Sequence, residues 1–156
     1  MRPGTEQEGL FAMPLLHSSV KLVTKKMPKF ISPRTHAVLD YVTAGAFLAG
    51  GILLLTRRRD KRAGISALMC GAAETITSLL TDYPGGVTGL ISFPTHGKID
   101  MGLAAMTATL PEFMDFKDGQ DMGFFRAQAV LITANTGLTD FGRGRNYDEA
   151  YDQEAA

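Results

Sequence analysis

Two histidines each stand four residues ahead of an aspartate: His36 before Asp40, and His96 before Asp100. An imidazole and a carboxylate at i and i+4 share one face of a helix. Such a pair can coordinate a divalent ion, contribute an axial ligand to haem, or pass protons. Three more acids accompany them: Glu74 inside an apolar run, and Asp82 and Asp140, each closing one. The single cysteine, Cys70, lies in an apolar stretch and allows no internal disulfide. The chain has no nucleophile elbow, CxxC, phosphate-binding glycine loop or dinucleotide fingerprint. Gly85-Gly86 and Gly142-Arg143-Gly144 read as turns.

The histidines belong to a repeated stretch. Ile31-Ser-Pro-Arg-Thr-His-Ala-Val-Leu-Asp40 returns as Ile91-Ser-Phe-Pro-Thr-His-Gly-Lys-Ile-Asp100, and Thr81-Asp82-Tyr83 returns as Thr139-Asp140-Phe141. The chain reads as two copies of one helical hairpin of about 55 residues. Repeat 1 is expected over residues 28–86 and repeat 2 over 87–141, with a flexible extension at 1–27 and a polar tail at 142–156. The extension does not read as a secretory signal, because Pro14 interrupts its only apolar run.

Four helices must position these groups. The first is expected from Ser32-Pro33, an N-cap serine before a proline, to Leu55, where Arg57-Arg-Arg-Asp-Lys-Arg62 forms a turn in water. The second is expected over Ala63–Thr81 and stops at Pro84-Gly85-Gly86. The third is expected over Thr95–Leu110, ended by Pro111, and the fourth over Phe124–Leu138. No stretch alternates with period two, so strands are not expected. Tyr41 to Leu55 carries no charge and lacks the polar face of a soluble amphipathic helix. Gly45/Ala49, Ala46/Gly50 and Ala67/Gly71 have the small-residue spacing that lets helices approach closely in lipid. The expected fold is all-α, a four-helix transmembrane bundle made of two tandem helical-hairpin repeats. It is multi-pass in the cell membrane, with the lipid bilayer as partner and a homo-oligomer or larger membrane complex as its setting. The dense basic turn between helices 1 and 2 points to the cytoplasm. Sixteen basic residues balance sixteen acidic ones, so no global field points to nucleic acid.

Two hairpins of the same order bring both helix starts and both returning ends to one side. His36, Asp40, Asp82, His96, Asp100 and Asp140 are therefore expected in one polar layer near one membrane face. Within each repeat, His36 or Arg34 is expected to meet Asp82, and His96 or Lys98 to meet Asp140. Three readings compete for the layer: a hydrogen-bonded clasp, a metal or haem site through His36 and His96, and a proton or ion pathway. Glu74 stands about 12 Å from the Asp82 end at 1.5 Å per residue. It is an intramembrane acid, read either as a glutamate hydrogen-bonded to Thr43 or Thr107 or as a proton carrier, with Thr133 and Asn135 within reach.

Arg34, His36 and Asp40 in the first repeat, with His96 and Asp100 in the second, resemble the opening of each unit in the SPW-repeat family of small bacterial integral membrane proteins. Leu110-Pro111-Glu112-Phe113 stands where that family carries Ser-Pro-Trp, and Thr-Asp-Tyr between hairpins is also similar. The resemblance covers about residues 28–141. It implies a membrane protein of two duplicated helical pairs and no catalytic residues. The expected function is a non-catalytic scaffold or accessory subunit without a cofactor. The competing one is a small membrane redox or proton/ion transport protein using the histidine pair and Glu74, with haem or a divalent metal as the cofactor a redox role requires.

Overall fold

The computed structural model describes residues 28–57 and 60–142. The expected extension over 1–27, Arg58 and Arg59 of the basic turn, and the tail from residue 143 onward lie outside the described residues. The described chain forms four helices: α1 (Pro33–Thr56), α2 (Lys61–Leu80), α3 (Phe93–Phe113) and α4 (Gly119–Leu138). The all-α expectation holds, with one addition. Thr81–Asp82 (β1) and Ile91–Ser92 (β2) form a two-residue parallel ladder, and Ile31 makes an isolated parallel bridge with Thr139. Each repeat thus begins beside the end of the other, and both junctions lie at one end of the bundle. These pairings are too short for a periodicity signal to reveal them.

Local chemistry explains the helix ends. The Ser32 hydroxyl accepts from the Thr35 amide at 3.2 Å, and Pro33 occupies the first turn of α1, where no amide bond is lost. Asp60 caps α2 by accepting from the Arg62 amide at 2.9 Å, so Lys61 and Arg62 are helical rather than part of the turn. The expected stop of the third helix at Pro111 is corrected: α3 continues through it to Phe113. A proline this close to the C-terminus removes only one amide-to-carbonyl bond, and the next residues end the helix anyway. The fourth helix starts five residues before Phe124, because Asp118 accepts from the Gln120 and Asp121 amides at 2.7 and 3.3 Å.

Each hairpin is closely packed, α1 on α2 and α3 on α4, with α1–α4 and α2–α3 contacts joining the pairs. The end remote from the strand junctions holds an apolar core around Phe47 and Phe125, both fully buried, with Phe116, Leu103 and Ile132. Among the described residues, Pro33–Thr56 and Lys61–Leu80 are long and apolar enough to cross a membrane by length and composition; α3 and α4 do not meet that measure.

Small residues set the α1–α2 spacing, though not all those the sequence suggests. Gly71 does face α1: a Cβ added there would stand 3.0 Å from the Ala44 carbonyl oxygen. Gly45 faces open space, and the tighter approach lies at Gly51, where a Cβ would stand 2.9 Å from the Gly64 carbonyl oxygen and 2.8 Å from Leu68 Cγ. Backbone cannot yield as a flexible side chain can. Gly51→Ala is therefore expected to lower stability by about 1–3 kcal/mol, the usual cost of overpacking. Gly45→Ala should leave it unchanged or slightly raised. Thermal unfolding of the two purified variants checks this; equal melting temperatures would refute the close approach.

Candidate functional site

The first turns of α1 and α3 present the same pattern inward. His36 and Asp40 on α1, and His96 and Asp100 on α3, are all within 1 % of complete burial. The shared i, i+4 face brings each pair together, and the two pairs meet across the bundle. His36 Nε2 lies 3.1 Å from Asp100 Oδ2 and 3.4 Å from Asp40 Oδ2. His96 Nε2 lies 3.0 Å from Asp40 Oδ2 and 3.2 Å from Asp100 Oδ2. Four side chains from two repeats thus form one square of alternating nitrogen and oxygen.

The other ring nitrogens are held by the returning helices. His36 Nδ1 lies 2.7 Å from the Thr139 hydroxyl oxygen, and His96 Nδ1 lies 2.8 Å from that of Thr81. Each hydroxyl donates its one proton to the carbonyl four residues back, Thr139 to Asn135 and Thr81 to Thr77, at 2.7 Å in both cases. A threonine hydroxyl has a single proton to give. Both Nδ1 atoms must therefore be the donors, N–H to Oγ1. This tautomer assignment follows from the hydrogen-bond network. Each Nε2 then faces the two carboxylates with either a second proton or a bare lone pair. Lone pairs set against carboxylate oxygens at these distances repel, so the square needs positive charge at its centre.

The two aspartates are not equivalent. Asp40 Oδ2 also accepts from the Tyr83 hydroxyl at 2.9 Å, and its Oδ1 accepts from Asn135 Nδ2 at 2.9 Å. Burial and the adjacent Asp40 carboxylate push the Tyr83 phenol well above its ordinary value, which keeps it a donor. Asp100 Oδ2 accepts from the Thr136 hydroxyl at 3.3 Å, and Asp100 Oδ1 is buried without a hydrogen-bond partner. Aromatic rings pack around the square: Phe93 and Phe141 meet His36 edge-on at 5.3 Å, and Tyr83 tilts against His96 at 5.2 Å.

Four of the six residues expected in the layer converge: His36, Asp40, His96 and Asp100. The pairing expected within each repeat is replaced by pairing between repeats. Asp82 is exposed, and Asp140, half-buried, accepts from the Gly142 amide at 3.0 Å. Arg34 and Lys98 are exposed. The threonine beside each of these aspartates turns inward instead. That substitution is physically sensible, because a hydroxyl can satisfy its own helix carbonyl and still accept from a histidine without adding charge.

Glu74 is buried on α2, close enough to feel the charges of Asp100, Asp40 and His96. No hydrogen bond joins it to Thr43 or Thr107, and the Thr107 hydroxyl is buried without a partner. Asn135 serves Asp40, and Thr133 donates to its own helix at Ala129. Tyr83 and Asn135 as Asp40 donors escape sequence reasoning, since their repeat counterparts are not donors of the same kind. Comparison of the chain with protein-family models, with curated proteins and with solved structures finds no match.

The crosswise arrangement separates two aspartates that look alike in sequence. Asp100→Asn breaks the buried square and is expected to cost about 3–5 kcal/mol, as when one partner of a buried ion pair is removed. Asp82→Asn should stay within about 0.5 kcal/mol of the parent, as for a typical surface change. Denaturant or thermal unfolding of both variants measures the difference; comparable losses at the two positions would contradict this site.

Proposed function

We propose that this chain is a small multi-pass integral membrane protein of non-catalytic scaffold or accessory-subunit type, in which the His/Asp square clasps two duplicated hairpins together at one membrane face. The observation that carries this reading is the inverted distribution of polarity. Among the described residues, polar side chains as large and as ionisable as His36, Asp40, Glu74, His96, Asp100 and Asp121 are buried, whereas Val38, Val42, Ile52, Ile65, Met69 and Ile76 are each more than half exposed. A water-soluble bundle distributes polarity the other way, and exposed apolar faces of this extent need a covering. Lipid covers the outer faces, and the polar groups pair inside where lipid offers no partner.

The two longest apolar stretches support the same reading. Only 28 % of the apolar window in α1 and 44 % of that in α2 is buried, whereas the core helix of a soluble protein is mostly buried. The close α1–α2 approach at Gly51 and Gly64 suits association in a medium where packing, not apolar burial, holds helices together. The resemblance to SPW-repeat membrane proteins agrees, and the basic turn between α1 and α2 would face the cytoplasm.

A second reading, proton or ion transport, draws on one observation. Glu74 is buried to 2 % exposure without a hydrogen bond to its expected threonine partners, and interacts electrostatically with the square. Ionisable groups at membrane depth mark pathways in transporters.

After alkaline carbonate washing, the full-length protein is expected in the membrane pellet and is released by detergent. Recovery as a monodisperse species in detergent-free buffer would overturn the membrane reading. In proteoliposomes the scaffold role predicts no proton flux above empty vesicles; flux that disappears in Glu74→Gln would favour the transport reading instead.

A further inference from the structure

We propose that His36, Asp40, His96 and Asp100 bind one divalent transition-metal ion of the zinc class, through the Nε2 atom of each histidine and the Oδ2 atom of each aspartate. The proposal stands on the square itself and holds whether the surrounding helices lie in lipid or in water.

The geometry fits such an ion. Neighbouring donors are 3.0–3.4 Å apart. A point equidistant from four donors at that spacing lies about 1.8–2.1 Å from each if they form a tetrahedron and about 2.1–2.4 Å if they flatten to a square, a span that includes the zinc–nitrogen and zinc–oxygen bonds of about 2.0–2.2 Å. All four donor atoms lie within 4.8 Å of one another. Two imidazoles with two carboxylates suit a borderline transition ion. Calcium and magnesium ask for shells of six or more ligands dominated by oxygen.

The charge fits as well. Two carboxylates balance one divalent cation, and the ion supplies the positive centre that the two Nε2 lone pairs require. The threonines complete the arrangement. Metal-ligating histidines characteristically donate their second N–H to a fixed acceptor, which sets the tautomer and aims the lone pair at the metal. Thr139 and Thr81 do this for His36 and His96, at 2.7 and 2.8 Å. An independent observation that points to a ligand is Asp100 Oδ1, buried without a hydrogen-bond partner on a residue 1 % exposed. A carboxylate oxygen in that state is free to share in coordination. Haem is a poor fit: the two imidazoles stand edge-on at 5.2 Å, and both aspartate Oδ2 atoms occupy the space between them, leaving no slot for a macrocycle.

The test uses the full-length protein, purified in detergent, stripped with chelator and titrated separately with Zn²⁺ and Co²⁺. Elemental analysis and the visible absorbance of the cobalt form are read together. The expected result is one ion per chain, lost in His96→Gln and Asp100→Asn and retained in Asp115→Asn, an exposed acid remote from the square. Thr81→Val should keep the ion with affinity lowered about 10–100-fold, as for other partners of ligating histidines. A parent protein that binds no stoichiometric ion overturns the proposal and leaves the square a proton-bridged clasp. So does an ion that persists undiminished in His96→Gln. Should the square variants fail to fold, the stoichiometry of the parent and the Thr81→Val affinity decide the matter.

Discussion

The structure depends on two imidazoles sharing two carboxylates with complete exclusion of water. Burying charged groups singly costs several kcal/mol each, so none of these four side chains can be tolerated without the others. Neither hairpin supplies a full set: His36 needs Asp100 and Thr139, and His96 needs Asp40 and Thr81. The exchange is repeated in the backbone, where Ile31 pairs with Thr139 and Ile91 with Thr81. One requirement, the satisfaction of buried polar groups, thus makes the second copy of the repeat obligatory for the first. The apolar core around Phe47 and Phe125 fills the opposite end, but it carries no comparable demand for specific partners.

Much of this was legible in the residues, for reasons that can be named. The i, i+4 spacing of histidine and aspartate put each pair on one helix face, and the duplication put both pairs at one end. Their burial then repeats almost position for position, from Pro33 to Asp40 and from Phe93 to Asp100. What was not legible was which partner each group takes. Charge complementarity favoured Asp82 and Asp140, yet the adjacent threonines point inward, because a neutral acceptor at a helix end avoids placing a carboxylate against the negative end of the dipole. Crosswise rather than local pairing is a tertiary choice that spacing along one chain does not encode. The helix boundaries failed in the ordinary ways: Pro111 loses a single bond near a terminus, and Asp118 caps α4 ahead of its apolar run.

The two halves have diverged where duplication left room. Tyr83 reaches Asp40 with a hydroxyl that Phe141 lacks, and Asn135 binds the other Asp40 oxygen, so one aspartate is fully satisfied while Asp100 keeps an oxygen without a partner. Glu74 has isoleucine, Ile132, as its counterpart. This asymmetry lies within the polar interior. These unmatched groups are where the two copies differ chemically around the square.

The central claim is that the repeats are joined through exchanged partners. The most direct measurement is a set of ¹⁵N–¹³C distances between labelled imidazole nitrogens and aspartate carboxyl carbons in the intact protein by solid-state NMR. The account predicts short distances from His36 to Asp100 and from His96 to Asp40, with protonated Nδ1 on both rings. Short distances from His36 to Asp82 and from His96 to Asp140, each hairpin closed on itself, would contradict it.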